Sequence, residues 1–330
     1  MNAGRHPQRG AAVWVNRDVV DNRSWEVTLT ADQRDELCTA ARRASTQGHT
    51  LSTLSREHFP LPRLSDAVHQ WTEELATGRG FVLLHGFPVD DLDEQETELA
   101  YFGLGTHLGR PVGQNRSGDL LTHIRDERLP AGTGKVRLYR TRERQDFHTD
   151  GADIIGLLCL HGARSGGESR IVSSLAVYNE MLRRRPDLLE LLHEPMHWDR
   201  QDEELPGEKP WFVLPPISDH GGTPRVFYIG WYLRDAQRHA DVPRLTPDQV
   251  DALNLLEAIA NDPAFHLTME FHPGDVQLLN NGRILHSREA YEDDEDLAQR
   301  RHLLRLWLAA HSFSSVGDGL RTGINTPHTP

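Results

Sequence analysis

Cysteines, long apolar runs and surplus positive charge are all scarce in this sequence. Two cysteines occur among 330 residues, and Cys38 and Cys159 lie far apart without forming a metal-binding or redox motif. Such sparse use of cysteine is typical of a reducing compartment, so we expect a cytoplasmic protein. No run of about 18 apolar residues is present, so a membrane-spanning helix is not expected.

The charge balance is acidic. Forty-nine acidic residues against 36 lysines and arginines give a formal net charge of −13. Because a nucleic-acid-binding protein must neutralise phosphates, generic DNA or RNA binding is disfavoured. The N-terminal stretch "MNAGRHPQRGAAVWV" has charge but neither an apolar core nor a small-residue cleavage site, so we do not expect secretion. No pattern in the sequence indicates the oligomeric state.

Helical patterns dominate the first 110 residues. "LTADQRDELCTAARR", residues 29–43, begins with the N-cap candidate Thr30, and "SDAVHQWTEELATGRG" begins with the N-cap candidate Ser65. "FVLLHGF" then has the apolar character of a short buried strand. We therefore predict that residues 1–110 form an α/β support.

Short apolar runs separated by turn residues replace this pattern from about Arg137 onwards. Examples are the segments "VRLYRT", "DIIGLLCLHGA", "ESRIVSS" and "RRHLLRLWLAA". We predict a β-rich core over residues 111–315, with a helical insert at about 175–265. Within the insert, residues 197–224 are rich in proline, glycine and charge, which is the profile of a long excursion or a lid, and both alternatives stay open. Residues 316–330 are predicted to be a tail.

The pattern His-x-Asp occurs at three places. In a strand, side chains two residues apart point to the same face, so both could reach one metal ion. His148 and Asp150, in "QDFHTDGADIIGLL", precede an apolar strand that could hold them rigidly. Two other pairs are weaker candidates. His197 and Asp199 lead into an acidic loop, and His239 and Asp241 lie in a hinge before a helix.

An iron site of the facial-triad kind needs a second histidine from a distant strand and leaves three coordination positions open. "FHPGDVQLLNNGRILHSRE" offers a strand, a tight Asn281-Gly282 turn and a second strand that carries His286. In the next strand, "QRRHLLRLWLAA", Arg301 and Arg305 are four residues apart and share a face. A buried arginine needs an anionic partner, which a dicarboxylate co-substrate would supply.

The order of "HTD", "GGES", "NNGRILHSRE" and "RRHLLRLWL" resembles the taurine/2,4-dichlorophenoxyacetate dioxygenase (TauD/TfdA-like) family over about residues 80–312. That family consists of Fe(II)- and 2-oxoglutarate-dependent oxygenases built on a double-stranded β-helix, a cupin-like jelly roll. The resemblance therefore implies an α+β fold, a single catalytic domain over 1–330, and Fe(II), 2-oxoglutarate and O2 as requirements. His148, Asp150 and His286 match the family's iron ligands.

Further residues carry over from the same family. Arg301 matches the arginine that pairs with the distal carboxylate of 2-oxoglutarate. Ser169 in "GGES" stands where the family commonly has a threonine that donates to the same carboxylate, and the hydroxyl donor is retained. Arg305 resembles a second family arginine that reaches either the co-substrate or an anionic part of the substrate, and both alternatives stay open.

The reaction that the resemblance implies is hydroxylation of an aliphatic C–H bond of a small molecule, with release of succinate and CO2. Asp150 stands where related halogenases have a small residue, so hydroxylation is preferred, with desaturation, cyclisation or epoxidation as alternatives. The basic segment "RLYRTRER" indicates an anionic substrate, such as an amino-acid-derived or secondary-metabolite intermediate, although it could equally neutralise acidic loops. The polar candidates to orient the substrate are Gln114, Asn115, Arg140, Arg142 and Gln145.

Two other classes of function stay open at this point. One is a metal-binding cupin-like protein without oxygenase activity, which would not convert 2-oxoglutarate to succinate with Fe(II) and oxygen. The other is a binding or scaffold protein on a degenerate oxygenase fold, in which Arg301→Ala would leave function unchanged.

Overall fold

The computed structural model describes residues 5–128, 137–296 and 299–314, so the predicted tail lies outside the described residues. Its helices are α1 (Asn16–Val20), α2 (Ala31–Thr46), α3 (Ser65–Ala76), α4 (Glu94–Leu108), α5 (Ser174–Arg184), α6 (Pro186–Leu191), α7 (Gly230–Asp235) and α8 (Pro247–Ala260). Its strands up to the insert are β1 (Glu26–Thr28), β2 (Phe81–His85), β3 (Gly109–Pro111), β4 (Leu121–Ile124), β5 (Gln145–His148), β6 (Ile154–His161), β7 (Ser165–Gly166) and β8 (Ser169–Ser173). The later strands are β9 (Met196–Asp199), β10 (Trp211–Leu214), β11 (Ile217–His220), β12 (Thr223–Val226), β13 (Leu267–Met269), β14 (Val276–Asn280), β15 (Ile284–Arg288), β16 (Tyr291–Glu292) and β17 (His302–Ala310).

Polar side chains cap the longer helices. The residues that precede α2, α4, α5 and α8 each accept a hydrogen bond from the backbone N–H three residues further on: Thr30, Asp93, Ser173 and Thr246. The predicted cap at Thr30 is therefore confirmed.

Helix α3 begins differently. Ser65, predicted as its N-cap, is the first helical residue, and the N-cap position belongs to the buried Leu64. The carboxylate of Glu36 accepts hydrogen bonds from the backbone N–H groups of Arg63 and Leu64. A side chain from α2 therefore accepts the hydrogen bonds at the start of α3, and the prediction of Ser65 as the N-cap was wrong.

Two sheets form the centre of the fold. The major sheet has the order β1-β2-β14-β6-β17-β3, with β4 also paired to β17, and the minor sheet has the order β13-β8-β15-β5. Along the chain, β5, β6 and β8 alternate between the sheets, and so do β13, β14, β15 and β17. This alternation is the winding of a double-stranded β-helix. Because β1 and β2 join the major sheet, the predicted α/β support and the β-rich core share one sheet.

The two sheets face each other across a shared core. Phe81, Ile155 and Trp307 of the major sheet are in one buried cluster with Ile171 and Ile284 of the minor sheet. Alternate residues of the same strands point away from this core and are also buried, because helices cover both outer faces. Helices α2, α3 and α4 cover the major sheet, and α5, α6 and α8 from the insert cover the minor sheet. The space between the sheets is therefore a protected position for a site.

The insert and the segment before β5 differ from their predicted forms. "VRLYRT" was predicted as a strand, but Leu138–Arg140 is a single 3-10 turn that pairs with no strand in the described ranges. The backbone N–H of Arg140 donates to the carbonyl of Arg137, so this hydrogen bond forms within a turn and not between two strands. The segment 197–224, predicted as a long excursion or a lid, is formed mainly by two antiparallel hairpins, β9–β10 and β11–β12, which together run from Met196 to Val226. Along the described ranges, no helix has the length and apolar character needed to cross a bilayer.

Candidate active site

Strand pairing brings the two predicted histidines together. His148 ends β5, His286 lies in β15, and they are direct partners in the antiparallel β5–β15 pair. Opposite residues in such a pair project side chains on the same face, and the two ring centroids are 4.2 Å apart. Both side chains are buried. The register of two strands therefore fixes one edge of the site.

Asp150 lies in the turn after β5, and backbone bonds on both sides hold that turn. Thr149 donates its N–H to the carbonyl of Tyr228 at 2.7 Å and accepts the Tyr228 N–H on its hydroxyl at 2.9 Å. Asn281, from the turn between β14 and β15, accepts the Asp150 N–H at 2.8 Å and donates to the Asp150 carbonyl at 2.6 Å. Asn281 therefore ties the position of Asp150 to the hairpin that carries His286.

His148, Asp150 and His286 each offer a ligand atom within 4.8 Å of the other two. The carboxylate oxygens of Asp150 lie 3.9 Å from Nε2 of His148 and 3.7 Å from Nε2 of His286. In the described part of the chain, this is the group of three histidine, cysteine or acidic residues that could hold a metal ion. Asp199, from one weaker His-x-Asp pair, instead bonds to Arg238 and His239.

The protonation states suit a metal ion. Burial lowers the pKa of His148, and burial with the neighbouring His148 ring lowers the pKa of His286 to about 3, so both imidazoles are neutral at neutral pH. Nδ1 of His148 donates to the carbonyl of Asp146 at 2.8 Å, which leaves the lone pair of Nε2 on the side of Asp150. Nδ1 of His286 is buried, with no hydrogen-bond partner among the described residues. The donor set of two imidazoles and one carboxylate fits Fe(II).

Asp150 is kept ionised by its surroundings. Burial alone raises its pKa, but the Arg305 guanidinium and the two histidines lower it, and the net pKa is below the ordinary value. Nη1 of Arg305 donates to Oδ2 of Asp150 at 3.3 Å, and Nε1 of Trp307 donates to the same oxygen at 3.0 Å. Gln114 accepts a bond from Nε of Arg305 at 2.8 Å. Gln114 therefore holds Arg305, and Arg305 and Trp307, both on β17, orient the Asp150 carboxylate.

Arg301 lines a narrow cavity between the sheets, here called the inner cavity. The inner cavity has a volume of about 40 Å³ and reaches His148 and His286 at its other end. The guanidinium of Arg301 lies 5.0 Å from the centroid of the Tyr291 ring, and its Nη1 is buried without a hydrogen-bond partner in the described residues. Gly167 of "GGES" has a φ of 77°, and a Cβ there would meet Nε of Arg301 at 3.1 Å. A glycine is therefore required beside the guanidinium.

Ser169 also lines the inner cavity. It is 4% exposed, and its hydroxyl exchanges hydrogen bonds with the Gln277 amide at 3.2 and 3.3 Å. Gln277 lies in β14, so both sheets contribute to this end of the cavity. Leu157 and Leu303 form apolar walls between the polar ends. The inner cavity therefore has one end with histidines and one with a cation and a hydroxyl, separated by an apolar middle.

A wider cavity, here called the outer cavity, is lined by His148 and Asp150 of the triad and shares His148 with the inner cavity. Its volume is about 280 Å³, which approaches the size of small-molecule sites. Some residues that line it lie in the basic segment or in residues 197–224, which the sequence analysis singled out: Arg137, Leu138, Tyr139 and Gln201. The lining residues that the sequence did not single out are Ile229, Trp231, Tyr232 and Asp235. These four come from the insert, far along the chain from the motifs. Their aromatic and charged character is common at protein surfaces, so the sequence carried no specific signal for them.

The five substrate candidates have different environments. Gln145 lines both cavities, and its Nε2 lies 3.0 Å from Nε2 of His148. The amide of Gln114 is buried and bonded to Arg305 and to backbone carbonyls. Asn115 bonds to Asp119 within its own loop, Arg140 pairs with Glu127, and the side chain of Arg142 is exposed. None of these last three is among the residues lining the two cavities.

Comparison with known proteins gives consistent matches. The family model described as "Taurine catabolism dioxygenase TauD, TfdA family" matches residues 43–307. The relative named "FR-33289 synthase", from Streptomyces rubellomurinus, is 36% identical over 327 residues, 96% of this chain and 95% of that protein.

Solved structures give the fold. Asparagine oxygenase in complex with Fe(II), 2S,3S-3-hydroxyasparagine and succinate is 17% identical and has a TM-score of 0.65, over 86% of this chain and 93% of that one. The non-heme iron oxygenase OrfP in complex with Fe and alpha-ketoglutaric acid is 17% identical and has a TM-score of 0.64, over 86% of this chain and 94% of that one. The predicted α+β, double-stranded β-helix fold is confirmed.

Proposed function

The chain belongs to the taurine catabolism dioxygenase TauD, TfdA family, and on that premise we propose how its residues hydroxylate an aliphatic C–H bond of a small polar or anionic molecule. It is a non-haem oxidoreductase that depends on Fe(II) and 2-oxoglutarate. When bound, these groups with O2 supply the oxidation: one oxygen atom enters the C–H bond, and the other enters the succinate formed with CO2 from 2-oxoglutarate.

The observation that carries the proposal is the convergence of His148, Asp150 and His286 within 4.8 Å at the meeting point of two cavities. We assign Fe(II) to these three side chains. The neutral imidazoles and the ionised carboxylate support this assignment, because metal ligands must be deprotonated. Arg305 and Trp307 position the Asp150 carboxylate by donating to Oδ2.

We assign the inner cavity to 2-oxoglutarate. Arg301 would pair with its distal carboxylate, and Ser169 would donate to the same group. A buried guanidinium with an unbonded N–H supports this role, since such a group is costly unless a ligand satisfies it. The apolar walls suit the methylene groups of the five-carbon chain and exclude water from the reacting end.

We assign the outer cavity to the primary substrate. Arg137 and Tyr232 line it, with the guanidinium 5.9 Å from the tyrosine ring centroid, and Arg137 has an ion-pair partner in Glu203 only at 3.7 Å. An anionic group on the substrate would satisfy Arg137 better than this long pair does. Asp235 lines the same cavity and could receive an amino group. The two charges suit a small amino-acid-derived molecule, the kind of ligand present in the asparagine oxygenase structure.

Two measurements test these assignments. Under anaerobic conditions, the protein with Fe(II) and 2-oxoglutarate should develop a visible metal-to-ligand charge-transfer band, and its absence would contradict the assignment of both cavity and ligands. In air, a panel of small anions should be screened for those that stimulate succinate formation. Arg137→Met should abolish the stimulation by a true substrate while substrate-independent succinate formation stays; stimulation that persists would place the substrate elsewhere.

A cytoplasmic location remains part of the proposal, consistent with two free cysteines.

A further inference from the structure

Arg288 lies on the same face of β15 as His286, because the two residues are separated by one position. Its direct partner across the β8–β15 pair is Ser169. Opposite residues in an antiparallel pair have neighbouring side chains, and Arg288 and Ser169 both line the inner cavity. The strand register therefore places a third polar side chain at the end of the inner cavity assigned to the distal carboxylate.

The guanidinium of Arg288 is only partly satisfied by the protein. The residue is 7% exposed, and Nη2 donates to the backbone carbonyls of Glu143 and Leu138. Nε and Nη1 are buried and have no hydrogen-bond acceptor in the described part of the chain. An arginine guanidinium stays protonated in proteins, so Arg288 is a buried cation. Nε has one N–H bond and Nη1 has two, and these buried donors of a cation need an acceptor.

Arg288 and Arg301 share one aromatic neighbour. Their guanidinium carbons lie 5.1 and 5.0 Å from the centroid of the Tyr291 ring. Within the described ranges, neither guanidinium forms an ion pair with a carboxylate; Asp293 accepts only the backbone N–H of Arg301. Two buried like charges repel each other, and this arrangement is stabilised only when an anion lies between or beside them. The inner cavity therefore has two positive charges at one end.

We propose that Arg288 is a second cationic binding residue for the distal carboxylate of the 2-oxo acid co-substrate, acting beside Arg301 and Ser169. The inference rests on the proposed function. A carboxylate has two oxygens with about four lone-pair positions, so it can accept bonds from two guanidinium groups and a hydroxyl at once. Arg288 then selects a dicarboxylic co-substrate over a 2-oxo acid with an uncharged tail.

The test compares two co-substrates of equal chain length. Dissociation constants for 2-oxoglutarate and for 2-oxopentanoate, which lacks the distal carboxylate, are measured anaerobically with Fe(II) by calorimetry and by the visible absorption band. Arg288→Gln should weaken 2-oxoglutarate about 10- to 100-fold and 2-oxopentanoate by less than about threefold. Arg170→Gln is the control, because Arg170 follows Ser169 on the opposite face of β8, near Glu289 and Phe147 and outside the inner cavity. It should change neither constant.

Each other result decides against the proposal or its premise. An equal loss of affinity for both acids would show that Arg288 only supports the segment that carries Leu138 and Glu143. An unchanged dissociation constant for 2-oxoglutarate would show that Arg288 does not contact it. Either result would overturn the inference. If Arg288→Gln does not fold, the same comparison in Arg288→Met decides, since methionine keeps the apolar stem. A wild-type protein without a band for either acid would overturn the proposed function and this inference with it.

Discussion

Replacing Arg301 by methionine separates co-substrate binding from folding. Arg301 is 5% exposed, and its Nη1 has no hydrogen-bond acceptor within the described residues. Methionine keeps the apolar stem against Tyr291 and Gly167 and removes the charge. Because the backbone N–H bond to Asp293 is unchanged, the local chain path should be kept.

The magnitude follows from the burial. Truncating one partner of a buried ion pair costs about 3–5 kcal/mol, so 2-oxoglutarate should bind on the order of 10²- to 10³-fold more weakly. Without ligand, the same change removes a buried cation that no acid balances, so the free energy of unfolding should stay the same or rise by roughly 1 kcal/mol or more. Fe(II) affinity should be unchanged, because Arg301 contacts none of the triad residues directly.

The assay uses calorimetry for 2-oxoglutarate and for Fe(II), and thermal unfolding with and without 2-oxoglutarate. Wild-type protein should show a rise in Tm with 2-oxoglutarate, and Arg301→Met should not. Arg170→Met serves as the control, since it removes a partly buried arginine that lies outside the inner cavity. An unaltered affinity for 2-oxoglutarate in Arg301→Met would refute the reasoning, and so would a parallel loss of Fe(II).

Other variants test the remaining parts of the site. His148→Ala and Asp150→Ala should each lose the anaerobic charge-transfer band, and a band that persists would remove that residue from the ligand set. Gly167→Ala should weaken 2-oxoglutarate about tenfold and destabilise the fold by roughly 1 kcal/mol, because φ is 77° and the new Cβ meets a guanidinium; an unchanged calorimetric constant would contradict this. Trp307→Phe removes the N–H donor to Asp150 and should weaken metal binding about 10- to 100-fold in a chelator competition. Trp14→Phe, which loses a comparable bond to a backbone carbonyl, should leave metal binding unchanged.

The triad was predictable because each part has a local signal. His148 ends β5, and the Asn281-Gly282 turn fixes where β15 begins and hence where His286 points. Asp150 lies in the turn after β5, and its local signal is the His-x-Asp spacing next to an apolar strand. Arg301 and Arg305 were visible as charges in an apolar strand. Local rules of strand geometry are sufficient when the functional residue lies on the strand itself.

The part of the outer cavity that α7 forms could not be predicted in this way. Trp231 and Tyr232 reach the site from α7, about eighty residues after β5, and no local pattern states which tertiary contact the insert makes. The basic segment was also ambiguous: Arg137 lines the cavity, whereas Arg140, three residues later, pairs with Glu127. The backbone of Arg137 is extended, whereas Arg140 lies at the end of the 3-10 turn, so two arginines of one short segment have different surroundings.

The distribution of charge around the triad separates two kinds of selectivity. The charge of Asp150 is balanced by Arg305, so this pair adds little net charge to either cavity. At the far end of the inner cavity, Arg288 and Arg301 add two positive charges with no acid paired to them in the described residues. In the outer cavity, Arg137 and Asp235 have opposite charges. If the two cavities have the proposed roles, we expect selection of the co-substrate to depend mainly on the number of its negative charges. We expect selection of the primary substrate to depend on the spacing of unlike charges along a small molecule.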